Sequence, residues 1–402
     1  MSDAAPAVAD EADASPASGE SALDVAIRLE TLTKRYPGSA VPAVDHLDLT
    51  IPRGELVALV GPSGCGKTTT LKMINRLVEP TEGTVWIEGT DARTWPAHQL
   101  RRGIGYVIQQ AGLFPHRTVA DNIATVPKLL GWSRERVHER VDELAELLGL
   151  DADLLPRYPA ALSGGQQQRV GVARALAADP PVLLMDEPYS AVDPIVRARL
   201  QDELVRLQRQ VHKTIVLVTH DIDEAIKLAD RIAILRAGGH LEQVGPPEEL
   251  LRAPTSEFVA DFLGDDRGIK RLSLITVDDV ALREGPVVGV TDSPATARAV
   301  MADQGVDWVG VRDGDRLLGW VGAADLDGEP TLATAPRRPF RAVFTPGTTL
   351  KAALDGIVTS QTRVAVIEDD QRYLGMLTLD DLAEGVTEGS GEPLEAVGED
   401  AP

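Results

Sequence analysis

The chain has 402 residues, a length that predicts two or three domains at about 150 residues each. Its 40 Lys and Arg against 62 Asp and Glu give a net charge of −22, which argues against nucleic acid as the main partner. The single cysteine, Cys65, excludes an internal disulfide, and no apolar run approaches the roughly 18 residues that cross a bilayer, so we expect a soluble protein of a reducing compartment.

Both ends of the chain have the composition of acidic tails. Residues 1–24 are rich in Ala, Pro and Ser and carry acidic but no basic residues, which predicts disorder and not a signal peptide. Residues 388–402 repeat this character. We therefore expect the folded part of the chain to lie between these two segments.

Short apolar runs alternate with helical patterns over residues 25–265. Continuous apolar runs at 56–60, 182–185, 215–218 and 232–235 predict strands buried on both faces of a parallel sheet. Residues 134–148 place apolar positions at helical spacing with charges between them. This alternation predicts an α/β domain.

An imperfect internal repeat occupies the C-terminal part of the chain. Residues 316–326 match residues 372–382, and helix-like segments open at Pro294 and Pro346. Each copy is interpreted as helix, strand, turn, strand and helix start, which predicts β-α-β-β-α units. We expect these units at 281–330 and 335–387, after a linker at 266–280, and packed together because one copy alone has too little core.

A glycine-rich segment with the pattern G-x-x-x-x-G-K-[ST] directly follows the apolar run 56–60. Glycines let successive backbone N–H groups point at phosphate oxygens, and a helix N-terminus adds positive potential. Lys67 is predicted to neutralise the β- and γ-phosphates, and the Thr68 hydroxyl to bind Mg²⁺. The predicted phosphate-binding residues are Gly61, Pro62, Ser63, Gly64, Cys65, Gly66, Lys67, Thr68 and Thr69.

Two further segments complement this loop. The strand at 182–185 ends in Asp186 and Glu187; we expect Asp186 to reach Mg²⁺ and Glu187 to polarise the attacking water. Ser163 is predicted to cap a helix whose N-terminus forms a second anion-binding site. That site is the sequence Leu162, Ser163, Gly164, Gly165 and Gln166.

The phosphate loop, the Ser163 segment and the strand that ends in Asp186 and Glu187 follow one another in this order along the chain. Together they resemble the ATPase subunit of ABC transporters: a P-loop NTPase domain with a helical subdomain. The resemblance implies that Tyr36 stacks on adenine, and that Gln109 contacts Mg²⁺ and the water and links to the membrane subunit. It implies that Asp193 lies in the loop joining two active sites and that His220 contacts the γ-phosphate. It further implies a homodimer, with ATP between the phosphate loop of one subunit and the Ser163 segment of the other.

The cargo is suggested by two more resemblances. Residues 109–119 are similar to ATPases of quaternary-amine importers, and the repeat resembles a tandem CBS module. Together they imply uptake of glycine betaine, carnitine, choline or proline, with permease subunits, an indirectly acting substrate-binding protein and a location on the cytoplasmic face of the membrane. A CBS pair also implies a regulatory nucleotide, for which Asp325, Thr378 and Asp381 are the candidate residues.

Three alternatives remain open on the sequence alone. One is a non-transport ABC ATPase of the DNA-repair or ribosome-associated kind, which the acidic charge disfavours. Another is a CBS nucleotide sensor with a degenerate ATPase. The third keeps the importer but changes the cargo to an amino acid or a metal chelate, with a purely structural CBS pair.

Overall fold

The computed structural model describes residues 25–109, 112–190 and 192–388. The predicted tail at 1–24, and the tail at 388–402 beyond its first residue, lie outside the described residues. The strands are β1 (Val25–Lys34), β2 (Val44–Pro52), β3 (Leu56–Val60), β4 (Glu82–Ile87), β5 (Thr90–Asp91), β6 (Ile104–Val107), β7 (Val182–Asp186), β8 (Thr214–Val218), β9 (Arg231–Arg236), β10 (His240–Gly245), β11 (Val287–Gly289), β12 (Trp308–Asp313), β13 (Arg316–Gly322), β14 (Val343–Phe344), β15 (Ala365–Asp369) and β16 (Arg372–Leu377).

Helices occur throughout the described chain. They are α1 (Lys67–Ile74), α2 (Ala97–Arg102), α3 (Val119–Ile123), α4 (Thr125–Leu129), α5 (Arg134–Leu147), α6 (Gly164–Leu176), α7 (Pro194–Val211), α8 (Ile222–Leu228), α9 (Pro247–Arg252), α10 (Glu257–Leu263), α11 (Arg267–Arg271), α12 (Pro294–Gln304), α13 (Leu350–Thr359) and α14 (Leu379–Glu388). Within the described ranges, no helix combines the length and apolar character needed to span a membrane.

The four apolar runs form strands of one six-stranded sheet, as their composition predicts. The strand order is β10-β9-β3-β8-β7-β6, in which β3 pairs parallel with β9, and β6 with β7. Every residue of β3, β7 and β8 is buried, because continuous apolar strands need cover on both faces. A second, antiparallel sheet has the order β2-β1-β4-β5. The predicted helix at 134–148 is α5, capped by Ser133.

The chain divides into two compact units. The first comprises the described residues of 1–55, 68–185 and 208–216, and the second those of 56–67, 186–207 and 217–402. Residues 217–265, predicted as part of the ATPase domain, thus share a unit with the C-terminal repeats.

The two C-terminal repeats have the predicted order of elements. In the first, β11, α12, β12 and β13 are followed by a short 3₁₀ turn at Ala323–Leu326. In the second, β14, α13, β15 and β16 are followed by a full helix, α14. Each repeat forms its own three-stranded sheet, with one parallel and one antiparallel pairing.

The segment predicted as a linker, 266–280, is folded. It contains α11 and a 3₁₀ turn at Val277–Asp279, and its Leu272 and Val277 are buried in the core of the second repeat with Leu350 and Leu377. Backbone hydrogen bonds join it to residues 348–351, among them Val277 N–H to the carbonyl of Thr348 at 2.9 Å.

Candidate active site

The phosphate loop lies between β3 and α1 and has the backbone that its glycines predict. Gly61, Gly64 and Gly66 all have positive φ, a conformation that costs glycine least. A Cβ on Gly61 would lie 2.1 Å from the carbonyl oxygen of Leu235, so no larger residue fits there. Cys65 is a buried free thiol and contributes packing.

Lys67 opens α1 and is buried, with 6% of its surface exposed. Its ammonium group donates hydrogen bonds to the carbonyl oxygens of Gly61 at 2.7 Å and Pro62 at 3.1 Å. The positive charge is therefore held inside the curve of the loop, where phosphate oxygens are expected. Thr68 and Thr69 follow it in the first turn of α1, while Ser63 and Gly64 are exposed at the tip of the loop.

Asp186 and Glu187 lie at the carboxyl end of β7, as the sequence predicts. Asp186 is buried at 9% exposure, and Glu187 adopts a left-handed φ of 45°. The N–H of Glu187 donates to the carbonyl of Val218, at the end of β8, at 2.9 Å. This bond ties the ends of two neighbouring strands together next to the carboxylates.

His220 follows β8 and reaches Glu187. Its Nδ1 lies 3.5 Å from Glu187 Oε2, so the predicted base and the predicted γ-phosphate contact are neighbours. Asp221 caps α8 by accepting hydrogen bonds from the N–H groups of Asp223 and Glu224. This cap fixes the start of the helix directly after His220.

Asp193 begins the helix after Glu187. Its Oδ1 accepts the N–H groups of Ile195 and Val196, both at 3.1 Å, and so caps α7. The side chain of Asp193 is exposed. The loop that the sequence assigns to communication between active sites therefore ends in a fixed helix start.

The Ser163 segment forms the predicted helix N-terminus. Ser163 Oγ accepts the N–H of Gln166 at 3.3 Å, and Gln166 Oε1 accepts the N–H of Ser163 at 2.9 Å, which is a reciprocal capping box. Ser163 and Gly164 are exposed, Gly165 is half-buried and Leu162 is buried. The exposed N-terminus of α6 can accept an anion from outside this chain.

Two other predicted residues lie in the same unit as this helix. Tyr36 is 42% exposed with the ammonium of Lys34 5.3 Å from its ring centroid, and an exposed aromatic face of this kind can stack on a base. Gln109 is exposed just after β6; the adjacent Gln110 lies outside the described residues.

Oxygen ligands suit Mg²⁺, and the predicted set supplies them. Asp186 gives a buried carboxylate, Thr68 a hydroxyl at a helix start and Gln109 an amide oxygen. The donor chemistry therefore fits a hard divalent cation.

The candidate nucleotide residues of the repeats are engaged in ion pairs that sequence reasoning missed. Asp381, 3% exposed, accepts from the N–H and hydroxyl of Thr378 and from Arg283. Asp325 accepts from the N–H of Gly322 at 2.9 Å and from Arg338 at 2.9 Å. Nothing local in the sequence signals Arg283, which lies 98 residues before Asp381.

Comparison with known proteins matches two family models to this chain. The ABC transporter model matches residues 44–190, which hold the phosphate loop, the Ser163 segment and the Asp186–Glu187 pair. The CBS domain model matches residues 336–388, the second repeat.

Curated relatives match the chain over most of its length. It is 44% identical over 370 residues to the osmoprotectant import ATP-binding protein OsmV of Salmonella typhimurium, covering 90% of this chain and 97% of the relative. It is 45% identical over 358 residues to the glycine betaine/carnitine/choline transport ATP-binding protein OpuCA of Bacillus subtilis, covering 88% and 94%.

A solved structure supports the same fold. The dimeric, post-hydrolysis ATP-binding cassette MJ0796 with ADP and Pi is 36% identical, with a TM-score of 0.50, over 55% of this chain and 98% of that one. With the full-length relatives, these matches confirm the fold expected from the sequence. The chain belongs to the family of ATP-binding subunits of ABC transporters.

Proposed function

We propose that this ATP-binding subunit hydrolyses ATP to drive the import of a quaternary-amine osmoprotectant such as glycine betaine, carnitine or choline. The observation that carries hydrolysis is the approach of His220 to Glu187 beside a complete phosphate loop. The cargo is supported by relatives whose similarity extends through the C-terminal repeats as well as the ATPase region. Their names favour this cargo over the amino-acid alternative.

The chemistry is divided among side chains of this chain. The N–H groups of the 61–66 loop and the Lys67 ammonium bind the β- and γ-phosphates and neutralise their charge. Glu187 orients the attacking water and accepts its proton, while His220 holds the γ-phosphate and steadies the Glu187 carboxylate. Mg²⁺, held by Thr68, Asp186 and Gln109, would neutralise further phosphate charge, and Tyr36 would stack on the adenine.

A second copy of the chain completes the site. The exposed N-terminus of α6 at Ser163 supplies anion-binding N–H groups that we assign to the γ-phosphate bound by the partner. Asp193 then links the two sites, and closure of the dimer is passed through Gln109 to the permease. In this proposal the subunit lies at the cytoplasmic face of the membrane, and the substrate-binding protein acts only through the permease.

The C-terminal repeats would regulate this cycle. Thr378 and Asp381 are proposed to hold the ribose of a regulatory nucleotide, which must then compete with Arg283 for the Asp381 carboxylate. In the first repeat, Arg338 already pairs with Asp325 and lies against Gly322, which offers no hydroxyl.

The test is Glu187→Gln, which keeps the shape of the side chain but removes the proton acceptor. We expect ATP hydrolysis to fall by about 10²-fold or more while ATP binding persists, because Lys67 and its loop are untouched. With Mg²⁺ and ATP the variant should accumulate as a dimer in gel filtration. In cells that supply the cognate permease, uptake of radiolabelled glycine betaine should stop.

Asp202→Asn is the matched control, an exposed carboxylate on α7 that should leave both activities intact. Undiminished hydrolysis in the Glu187 variant would refute the assignment of the base. Hydrolysis-dependent uptake of an amino acid instead of glycine betaine would leave the ATPase in place and refute the cargo.

A further inference from the structure

A buried carboxyl lies behind the turn that carries His220. Glu224, on α8, is 6% exposed, and its Oε2 accepts a hydrogen bond from the hydroxyl of Thr219 at 3.1 Å. The oxygen of that hydroxyl in turn accepts the N–H of Asp221 at 3.0 Å. One carboxyl therefore fixes the residues on both sides of His220.

The same turn is anchored to the strand that precedes the phosphate loop. The N–H of Thr219 donates to the carbonyl of Leu59, in β3, at 3.2 Å. Thr219 itself is buried, at 2% exposure. With its backbone held on both sides, His220 presents Nδ1 to Glu187 at 3.5 Å.

We propose that Glu224 is a positioning residue for turnover: through Thr219 it holds the 219–221 turn so that the His220 imidazole stays against Glu187. The inference rests on the proposed function, because only there do His220 and Glu187 act in hydrolysis. It adds a residue that does not touch the reacting groups. It also makes the rate of turnover depend on whether a buried carboxyl is protonated.

The surroundings of Glu224 leave one oxygen of its carboxyl buried without a partner in the described part of the chain and favour the protonated form. Among the described residues, Oε1 has no hydrogen-bond partner, and Glu224 lines a cavity of about 430 Å³. The pKa of Glu224 is raised to about 7, mainly by burial and further by the negative charges of Asp221 and Glu187. The hydrogen bond from Thr219 acts in the opposite direction and lowers it. The titratable and charged groups that face Glu224 or share its cavity are Asp221, Asp223 and Lys227 near α8, Arg197 on α7, Glu187 and Tyr189 after β7, Lys270 on α11 and Lys351 on α13.

Above about pH 7 Glu224 loses its proton, and this loss changes two features of the site. It strengthens the acceptor for the Thr219 hydroxyl, and it places a second negative charge near Glu187. A plot of kcat against pH should therefore show a step near pH 7 that comes from Glu224, a group that does not touch the reacting atoms.

The test compares Glu224→Gln and Glu224→Ala with the wild type in kcat and KM for ATP, from about pH 6 to about pH 9. Gln keeps an oxygen acceptor for Thr219 but cannot titrate, so kcat near pH 6 should persist and the step near pH 7 should disappear. Ala removes the acceptor, and kcat should fall about tenfold at unchanged KM, because the phosphate loop is intact. Asp223→Asn, an exposed acid on the same helix, should keep the wild-type profile.

The results that would overturn the inference are a Gln variant with the wild-type pH profile and an Ala variant with the wild-type kcat. His220→Ala and Glu187→Gln separate this failure from that of the proposed function: if either variant keeps the wild-type rate of hydrolysis, the role proposed for that residue in hydrolysis is wrong, and the inference fails with it. If both lose hydrolysis while Glu224→Ala keeps the wild-type kcat and Glu224→Gln keeps the wild-type pH profile, only the positioning role fails. Should the Ala variant not fold, the pH profile of the Gln variant decides.

Discussion

At the scale of single residues, the unusual feature of this protein is a carboxyl group in its core, that of Glu224, whose neutral form is favoured by burial. Glu224 is surrounded by protein on all but the cavity side, and burial is the main reason why its pKa rises from 4.5 to about 7. In the unfolded chain the same carboxyl is charged above about pH 4.5. The folded protein therefore holds one proton more than the unfolded chain between these two pH values.

This difference predicts how stability depends on pH. Because the folded state binds the extra proton, Glu224 costs nothing below about pH 4.5, and its cost grows as the pH rises to about 7, where it reaches roughly 3 kcal/mol. Glu224→Gln removes the cost, so the variant should melt above the wild type at about pH 8 and level with it near pH 4.5. Thermal denaturation at several pH values measures this, and a difference between the two proteins that stays constant with pH would contradict it.

The position and contacts of a functional side chain could be predicted from the sequence where its partners are close to it along the chain. Lys67 finds its hydrogen-bond acceptors within six residues, and the motif alone placed it correctly at the start of a helix after a strand. Asp381 and Asp325 depend on Arg283 and Arg338, whose approach is set by tertiary folding. The sequence offers no local periodicity or motif from which those pairs could be inferred.

At the scale of elements, the segment 266–280 changes role between sequence and structure. The sequence predicts a linker there, and it shows no long amphipathic pattern that would indicate otherwise, whereas the apolar runs of β3 and β7 predict buried strands. In the fold, hydrogen bonds such as Leu350 N–H to the carbonyl of Ile275 bind it to the second repeat. Short segments that fold against a distant surface carry too few residues for a periodic signal.

Replacing Leu272 tests how much this segment contributes to the stability of the fold. Its side chain is 7% exposed and belongs to the core of the second repeat, so Leu272→Ala should cost roughly 2 to 5 kcal/mol in the free energy of unfolding. Ile269, three residues earlier and 49% exposed, supplies the control, since Ile269→Ala removes little burial. Denaturant unfolding followed by tryptophan fluorescence gives both values. Equal stability of the two variants would mean that the segment is a linker after all.

At the scale of the whole molecule, the two C-terminal repeats complete each other. The segment before the first repeat pairs with the last strand of the second, through Arg283 and Met376, and the segment before the second pairs with the last strand of the first, through Arg338 and Trp320. An apolar cluster draws on both repeats as well; its buried members are Trp308, Leu317, Trp320, Val364, Val366 and Met376. The repeats therefore form one cooperative module, as expected for units too small to bury a core alone.

This interdependence predicts which fragments of the chain fold. A fragment of residues 266–388 contains both repeats, Leu272 and the two segments around Arg283 and Arg338 that each pair with the other repeat, here called the exchanged segments. It should melt in one cooperative transition, which circular dichroism would monitor. A fragment of residues 336–388, the part that matches the CBS domain model, keeps β14 to α14 but loses the Arg283 segment and half of the shared cluster. We expect it to show no cooperative transition, because its exposed apolar face then stays in water. A fragment 336–388 that melts cooperatively at the temperature of 266–388 would show that the second repeat is an independent domain, and the exchanged segments would then serve only to join the two copies.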